Sequence, residues 1–320
     1  MPVLARLLRY AALILLATAS AAHAQQAPLK IVVGFSPGGG VDTLARLLAQ
    51  HLGTPLGRTV LVENRPGAGG TIAADTVRRA APDGNTVLLA DTSLLVAPYI
   101  YPDLPYRLER DFVPVAMVGE AGLALAVAAA NPARDLPQLI AQARQAPGRL
   151  TYATVGMGSM HHLGGELFKT MSATDLVHVP YKGGSPAVQA LAGDQVSVAI
   201  SSLPAVMPLA ASGRIRILAV LSAQRFAGLP DVPTVAETLP GFETTPSLFL
   251  LAPAGTPPAA LAALQQALPG VLADATLRQT FVAQGSEVRY QPADALAQWL
   301  PTQQKRWGDL IARTQLDFRQ

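Results

Sequence analysis

The sequence predicts an α/β protein of two domains, with mostly parallel sheets carrying helices on both faces. Three observations predict it. One unit repeats along the chain: a short apolar run rich in β-branched residues, a turn containing Gly or Ser, then an amphipathic helix, the order that builds parallel sheets. The 320 residues are 50% hydrophobic, which at about 150 residues per domain makes two cores. Two long apolar extended runs, residues 123–132 and 247–258, bracket a self-contained central block. Each alone reads as a core strand; as a pair they read as two strands crossing between lobes.

Taken in order, the first residues pass from Arg6 and Arg9 through an apolar stretch at 11–17 to small residues ending Ala-His-Ala. That is the order of a secretory signal peptide, cleaved before Gln25. The apolar stretch is far short of the ~20 residues that span a bilayer. "LKIVVGF" is the first strand, "SPGGG" a turn and "VDTLARLLAQHLG" a helix with Leu44, Leu47, Leu48 and Leu52 on one face and Gly53 as its exit. "TVLVEN" leads through "RPGAGG" to the helix "TIAADTVRRA". "NTVLLA" leads to Asp91, Thr92 and Ser93, each able to cap the next helix. "LTYAT", "LVHVPY", "QVSVAISS" and "IRILAVLS" repeat the strand signal. From Pro257 the chain is mainly helical, with Leu296, Trp299, Leu300, Trp307 and Leu310 at helical spacing. The expected division is a signal peptide at 1–24, lobe one at 25–125 and 248–320, and lobe two at 126–247.

Composition excludes several function classes. With no Cys, a disulfide scaffold, a thiol nucleophile and a lipid-anchoring cysteine are all ruled out. Once Arg6 and Arg9 leave with the signal peptide, 22 basic residues face 21 acidic ones. That near-balance, with 5% aromatic residues, gives no footprint for nucleic acid. The mature chain reads as a free exported protein.

Two turns between strand and helix carry chemistry: "GFSPGGGVD" and "TVGMGSMHH". Glycine there permits positive φ and leaves backbone N–H groups uncovered at a helix N-terminus, a geometry that receives an anion. The plain alternative for either turn is a tight corner; two of them, one in each lobe, favour a cleft site. Neither is a nucleotide motif, since no Gly-Lys occurs and the third Gly of a dinucleotide fingerprint is missing. Ser159 reads as an N-cap of the helix bearing Met160, Leu163, Leu167 and Met171. As a nucleophile it needs His162 as base and a third group to orient the ring, and nothing local supplies one. His162 and Glu166 share a helical face, but two ligands make no metal site. Asp42, in a first helical turn, is favourable by the helix dipole alone. A side chain at Gly39 is expected to block backbone approach and to meet a forbidden φ.

The segments "FSPGGGVDTLAR", "VENRPGAGG", "PDGNTVLL", "GSMHHLGGELF", "HVPYKGGSPAVQALAGDQV", "LPDVPTVAE", "PGFE" and "APAGTP" occur in this order. Together they resemble the periplasmic substrate receptors of tripartite tricarboxylate transporters, the Bug-type binding proteins, across essentially the whole mature chain. The resemblance implies two α/β lobes closing on a ligand like a flytrap, with no cofactor. It implies a small organic carboxylate held mainly by backbone groups and waters. Carried over by position, it implies a first loop of Phe35, Ser36, Pro37, Gly38, Gly39, Gly40 and Asp42. The second loop is Thr154, Gly156, Gly158, Ser159 and His162, and Thr92 and Ser93 form a further cleft edge. The implied partners are membrane permease subunits, with a sensor kinase as the alternative, and the receptor itself is expected to be a monomer.

Two departures from the family pattern stand out. Where members commonly read Phe-Asp-Asn-Leu, this chain has Ile200, Ser201, Ser202 and Leu203, so the usual acid is missing; Ser247 stands where a Trp is common. The expectation is a non-enzymatic receptor for a di- or tricarboxylate, with Ser201 and Ser202 in its wall. Its rivals are a sensor-docking receptor and a Ser159/His162 hydrolase. Removing 24 of the 320 residues leaves 296. Intact-mass measurement of the periplasmic fraction is expected to find a chain starting at Gln25, and full-length chain in the membrane pellet contradicts this.

Overall fold

The computed structural model describes residues 27–314 and residue 316; the expected signal peptide lies outside the described residues. The first strand, β1 (Leu29–Val33), pairs in parallel with β2 (Val60–Asn64) and β3 (Thr86–Asp91). Its apolar run Ile31, Val32 and Val33 is buried on both sides, while Lys30 near its start reaches out to pair with Glu63. Its successor, α1 (Gly40–Leu56), lays Leu44, Leu48 and Leu52 onto that sheet. Gly53 does not end α1. The helix runs on through Pro55 to Gly57, whose left-handed φ of 61° closes the last turn with a hydrogen bond to Thr54 O.

The remaining elements of this sheet are α2 (Thr71–Arg78), α3 (Ser93–Val96), α4 (Leu108–Asp111) and β4 (Phe112–Ala121). The second lobe comes next, with β5 (Leu123–Ala128), α5 (Leu136–Gln145), β6 (Leu150–Thr154), α6 (Met160–Ser172), β7 (Leu176–Pro180), α7 (Gly184–Ala192), β8 (Val198–Ser202), α8 (Leu203–Ala211) and β9 (Ile215–Val220). The chain then returns through β10 (Ser247–Pro253), α9 (Pro258–Ala273), α10 (Ala275–Ala283), β11 (Ser286–Pro292) and α11 (Ala293–Thr314). The strand orders are β11-β4-β10-β3-β1-β2 and β7-β6-β8-β5-β9. Each sheet is covered on both faces. The first packs α1, α9 and α10 on one side and α2, α3 and the start of α11 on the other. The second packs α5 and α6 opposite α7 and α8.

The two-lobe α/β fold is the one predicted, but the sheets are mixed. Parallel pairing holds for β1, β2 and β3 and for β6, β7 and β8, where a helix returns the chain to the same end. Strands β4, β5, β9, β10 and β11 pair antiparallel, because a chain leaving one lobe for the other enters or leaves its sheet in the opposite sense. The expected crossing strands also shift. Residues 123–125 belong to the second sheet and β10 lies wholly in the first.

The first crossing is a single residue, Gly122. Its N–H donates to Gly285 O and its carbonyl accepts from Leu203 N, both at 2.9 Å. A Cβ at Gly122 would lie 2.5 Å from Leu203 Cδ1 and 2.7 Å from Gly285 O, so only glycine lets these three segments meet. The second crossing runs beside it, Pro246 O accepting from Ala121 N at 2.9 Å. A third connection is α11, which the expected division leaves entirely in lobe one. Leu296 packs under the first sheet, but Trp307 is buried in the core of the second, with Leu310 and Ile311 against it.

Because Trp307 joins the two cores, Trp307→Ala is expected to lower stability by about 3–5 kcal/mol. A urea titration followed by circular dichroism checks this, and a loss below ~1 kcal/mol contradicts the anchoring role.

Candidate functional site

The loops that follow β1, β3, β6, β7 and β8 meet where the lobes face one another. In the first, Gly38 takes the left-handed conformation (φ 77°), whereas Gly39 has an ordinary φ of −80°. The expected strain therefore belongs to Gly38. The Gly38 N–H donates to Asp42 Oδ2 at 2.8 Å, and the Asp42 carboxylate also accepts from Arg46 at 2.9 and 3.0 Å and from Asn64 at 2.7 Å. Burial opposes its ionisation, but these donors together hold its carboxyl below the usual value. Asp42 thus shapes the loop from behind, and Phe35 packs into the core beside it. The sequence expectation placed both at the ligand; their side chains are used within lobe one.

The second loop is built alike. Ser159 caps α6, accepting from His162 N at 3.2 Å and donating its own proton to Gly156 O at 2.7 Å. Gly156 and Gly158 take φ of 129° and 77°. The Gly156 N–H donates to Thr154 Oγ1 at 3.2 Å, and that hydroxyl lies 2.7 Å from His178 Nε2. The Gly158 N–H donates to His162 Nδ1 at 3.3 Å. The two histidine rings stack at 3.9 Å between centroids. Ser159 Oγ and His162 Nδ1 therefore serve the loop backbone, and the two side chains form no nucleophile–base pair. His162, expected at the ligand, also lies behind the loop surface.

Across the interface the lobes share hydrogen bonds reciprocally. Ser202 Oγ, from the second lobe, accepts from Gly40 N at the start of α1 at 3.0 Å. Ser93 Oγ, from the first, accepts from Met160 N at the start of α6 at 2.9 Å. A Cβ on Gly40 would lie 2.7 Å from Ser202 Cβ, so the approach requires glycine there. Ser36 donates through both N (3.2 Å) and Oγ (2.6 Å) to Lys182 O, and Pro37 O accepts from Ser185 Oγ at 3.4 Å. Thr92 Oγ1 accepts from Ser247 N at 2.8 Å, within lobe one. Ser201 is fully buried and its hydroxyl has no partner.

Sequence reasoning missed two contributors. Tyr101 reaches over from lobe one to donate to Met157 O at 2.8 Å, and its long connection carries no sequence signal. "YKGGS" forms a third strand–Gly–helix turn, with Gly183 against Ser36 and the exposed Lys182 beside it. The repeated Gly-Gly before a helix would have marked it.

Among the described residues no group of three or more His, Asp or Glu is arranged to hold a metal ion. No described helix is long and apolar enough to cross a membrane.

With this geometry in place, comparison with known proteins is decisive. The model for the tripartite tricarboxylate transporter family receptor matches residues 44–316. The chain belongs to this receptor family. Protein BugT of Bordetella pertussis (strain Tohama I) is 37% identical to the receptor over 290 residues, covering 90% of this chain and 89% of BugT. Among solved structures, that of R. palustris Rpa4515 with adipate has a TM-score of 0.87 at 32% identity, covering 91% of this chain and 98% of that one. MatC from Rhodopseudomonas palustris with bound malate has a TM-score of 0.83 at 32% identity, covering 89% and 99%. The Bug-type resemblance of the sequence is thereby shown, and the matched family is one of receptors, not enzymes.

The electrostatics of the receptor's second lobe are those of buried neutral rings. Burial pushes His161 and His162 down to about 3 and His178 to about 4; His178 and Lys169 add to the effect on His162, and Lys169 to that on His178. Burial pushes the Asp91 carboxyl up to about 6, partly offset by hydrogen bonds from Ser93. For the histidines, the unfolded chain binds protons near pH 6.5 and the folded chain only near 3–4. Their contribution is therefore complete above pH 6.5 and lost as pH falls from there towards 4, by on the order of 1 kcal/mol per ring per pH unit. Asp91 acts oppositely between about pH 4 and 6, but it is one group against three. The receptor is expected to lose stability on acidification from pH 7.5 to 5, and His178→Gln to flatten that slope. Urea midpoints at the two pH values measure it; a midpoint that rises on acidification contradicts the assignment.

Proposed function

We propose that this receptor works in the periplasm as a monomer without a cofactor, capturing a di- or tricarboxylate that lacks an amino group and delivering it to a tripartite-type permease. The observation that carries the reading is the state of the acids around the cleft. A bound ammonium loses its hydration on closure and needs a carboxylate or several acceptors in return. Asp42 already accepts four hydrogen bonds from Gly38, Arg46 and Asn64. Asp91 Oδ2 has no partner, but the void beside it, lined by Gly34, Phe35, Gly69 and Gly70, holds about 10 Å³, room for one water at most. The wall where the family commonly has an acid is Ser201 and Ser202, which are neutral. By contrast α1 and α6 start at the cleft from opposite lobes, and their N-terminal dipoles favour negative charge. Two such ends suit a ligand with a carboxylate at each end. Adipate and malate, the ligands of the two similar structures, are of that kind.

The ligand oxygens would take over what the lobes now give each other: the Gly40 and Met160 amides and the hydroxyls of Ser36, Ser93 and Ser202. The loop residues Pro37, Gly38, Gly39, Thr92, Thr154, Gly156, Gly158 and Ser159 shape the surround. In a thermal-shift screen, a true ligand at about 100 times its Kd adds ~2.7 kcal/mol. At ~2–4 °C per kcal/mol that is a shift of at least several degrees. Succinate, malate, adipate or citrate is expected to stabilise the receptor more than aspartate or glutamate, and the reverse order overturns the proposal.

A further inference from the structure

We propose that Tyr101 is the positioning residue of the second loop: reaching across from lobe one, its hydroxyl fixes the direction of the Met157–Gly158 peptide. The inference rests on reading that loop as part of the ligand site, but its first test does not. Tyr101 Oη donates to Met157 O at 2.8 Å. That carbonyl and the Gly158 N–H belong to one planar peptide group, so whatever holds one end aims the other. The turn has little means of setting this plane by itself. Gly156 and Gly158, with φ of 129° and 77°, lie on either side of Met157, and glycine has the weakest backbone preference of any residue. An outside partner can decide the direction where the local sequence does not. At the amide end the Gly158 N–H reaches His162 Nδ1 at 3.3 Å; the bond from Tyr101 is the shorter of the two.

Lobe one is shaped to receive this peptide. The Tyr101 ring lies against Gly158, where a Cβ would come within 2.9 Å of its Cε2. Gly69, in the turn after β2, touches the same peptide: a Cβ on it would lie 3.0 Å from Gly158 C and 3.1 Å from Met157 O. The "RPGAGG" turn thus has a use beyond turning the chain, since its glycine lets the tip of the second loop approach. The segment that carries Tyr101 is itself seated. Tyr101 N donates to Ala97 O at 2.9 Å, and the Tyr99 hydroxyl donates to Gln304 O on α11 at 3.0 Å. Gly308 makes room for the Tyr99 ring, which a Cβ there would meet at 2.4 Å. Burial raises the pKa of the Tyr101 hydroxyl, so it keeps its proton and remains a donor. The geometry of one lobe's loop is therefore finished by a side chain of the other.

The test uses the mature chain and the variant Tyr101→Phe, which keeps the ring and removes the donor, with thermal melting as the control for folding. In NMR of labelled protein the variant is expected to move the Met157 carbonyl carbon upfield and to shift the Gly158 amide. The Gly38 amide of the first loop is expected to stay in place, which a general loosening of the fold would not allow. Calorimetry with succinate is expected to show about 5-fold weaker binding, the equivalent of one neutral hydrogen bond. A folded variant whose Met157 and Gly158 signals keep their wild-type positions overturns the proposal. So does a Kd within two-fold of wild type. If succinate and the other carboxylates leave the wild type unaffected, the functional reading fails, while the Met157 and Gly158 signals still decide whether Tyr101 positions the peptide.

Discussion

The backbone N–H groups at the start of α1 and α6 have no partner within their own helices, and the cleft is built around that deficit. Each lobe lends a serine to the other. Ser202 takes the Gly40 amide and Ser93 takes the Met160 amide. Bonds of this kind contribute about 1 kcal/mol each, enough together to give the approach of the two lobes a definite register. Most other features of the interface serve this approach. Gly40 and Gly183 have no side chain because another segment occupies the space, and Ser36 bonds twice to Lys182 O to hold the rim.

Behind that surface, each lobe stiffens its loop by different means. Lobe one uses charge: Asp42 gathers Gly38, Arg46 and Asn64 around one carboxylate. Lobe two uses a hydroxyl and two stacked rings: Thr154, His178 and His162. A loop held this way keeps its backbone amides in fixed directions. The same arrangement explains why Ser159 beside His162 does not amount to hydrolytic machinery. Ser159 Oγ and His162 Nδ1 are already committed to shaping the backbone.

Much of this could be read from the residues before the structure. The apolar runs of β1, β3, β6 and β8, and the leucine stripe of α1, follow from periodicity, since a buried strand and a one-sided helix leave different spacing. The Gly-rich turns and the Ser159 cap were legible because each depends on local backbone chemistry. What the residues concealed depends on pairs distant in sequence. Nothing around Gly38 says that its N–H belongs to Asp42, or that Gly39 beside it keeps an ordinary φ. The antiparallel direction of β5 and β10 is decided by where the chain crosses, and the crossing itself is one glycine. Strand β11 alternates only weakly, and Tyr101 sits in a connection with no period at all. Phe35, Asp42 and His162 lie in the two Gly-rich loops with their side chains turned into their own lobes, a distinction of side-chain direction that spacing does not carry.

Helix α11 has a mechanical consequence. Two adjacent crossings at Gly122 and Pro246 would leave a free hinge, but a helix anchored by Leu296 in one core and Trp307 in the other spans the joint at a distance from it. Any change in the angle between lobes must therefore be absorbed along α11. Pro301 lies between the two anchors. It offers no N–H to the carbonyl of Ala297, so the helical ladder is already interrupted there and bending costs least. The helix is thus a leaf spring laid across the joint, with its most compliant point set by a single proline.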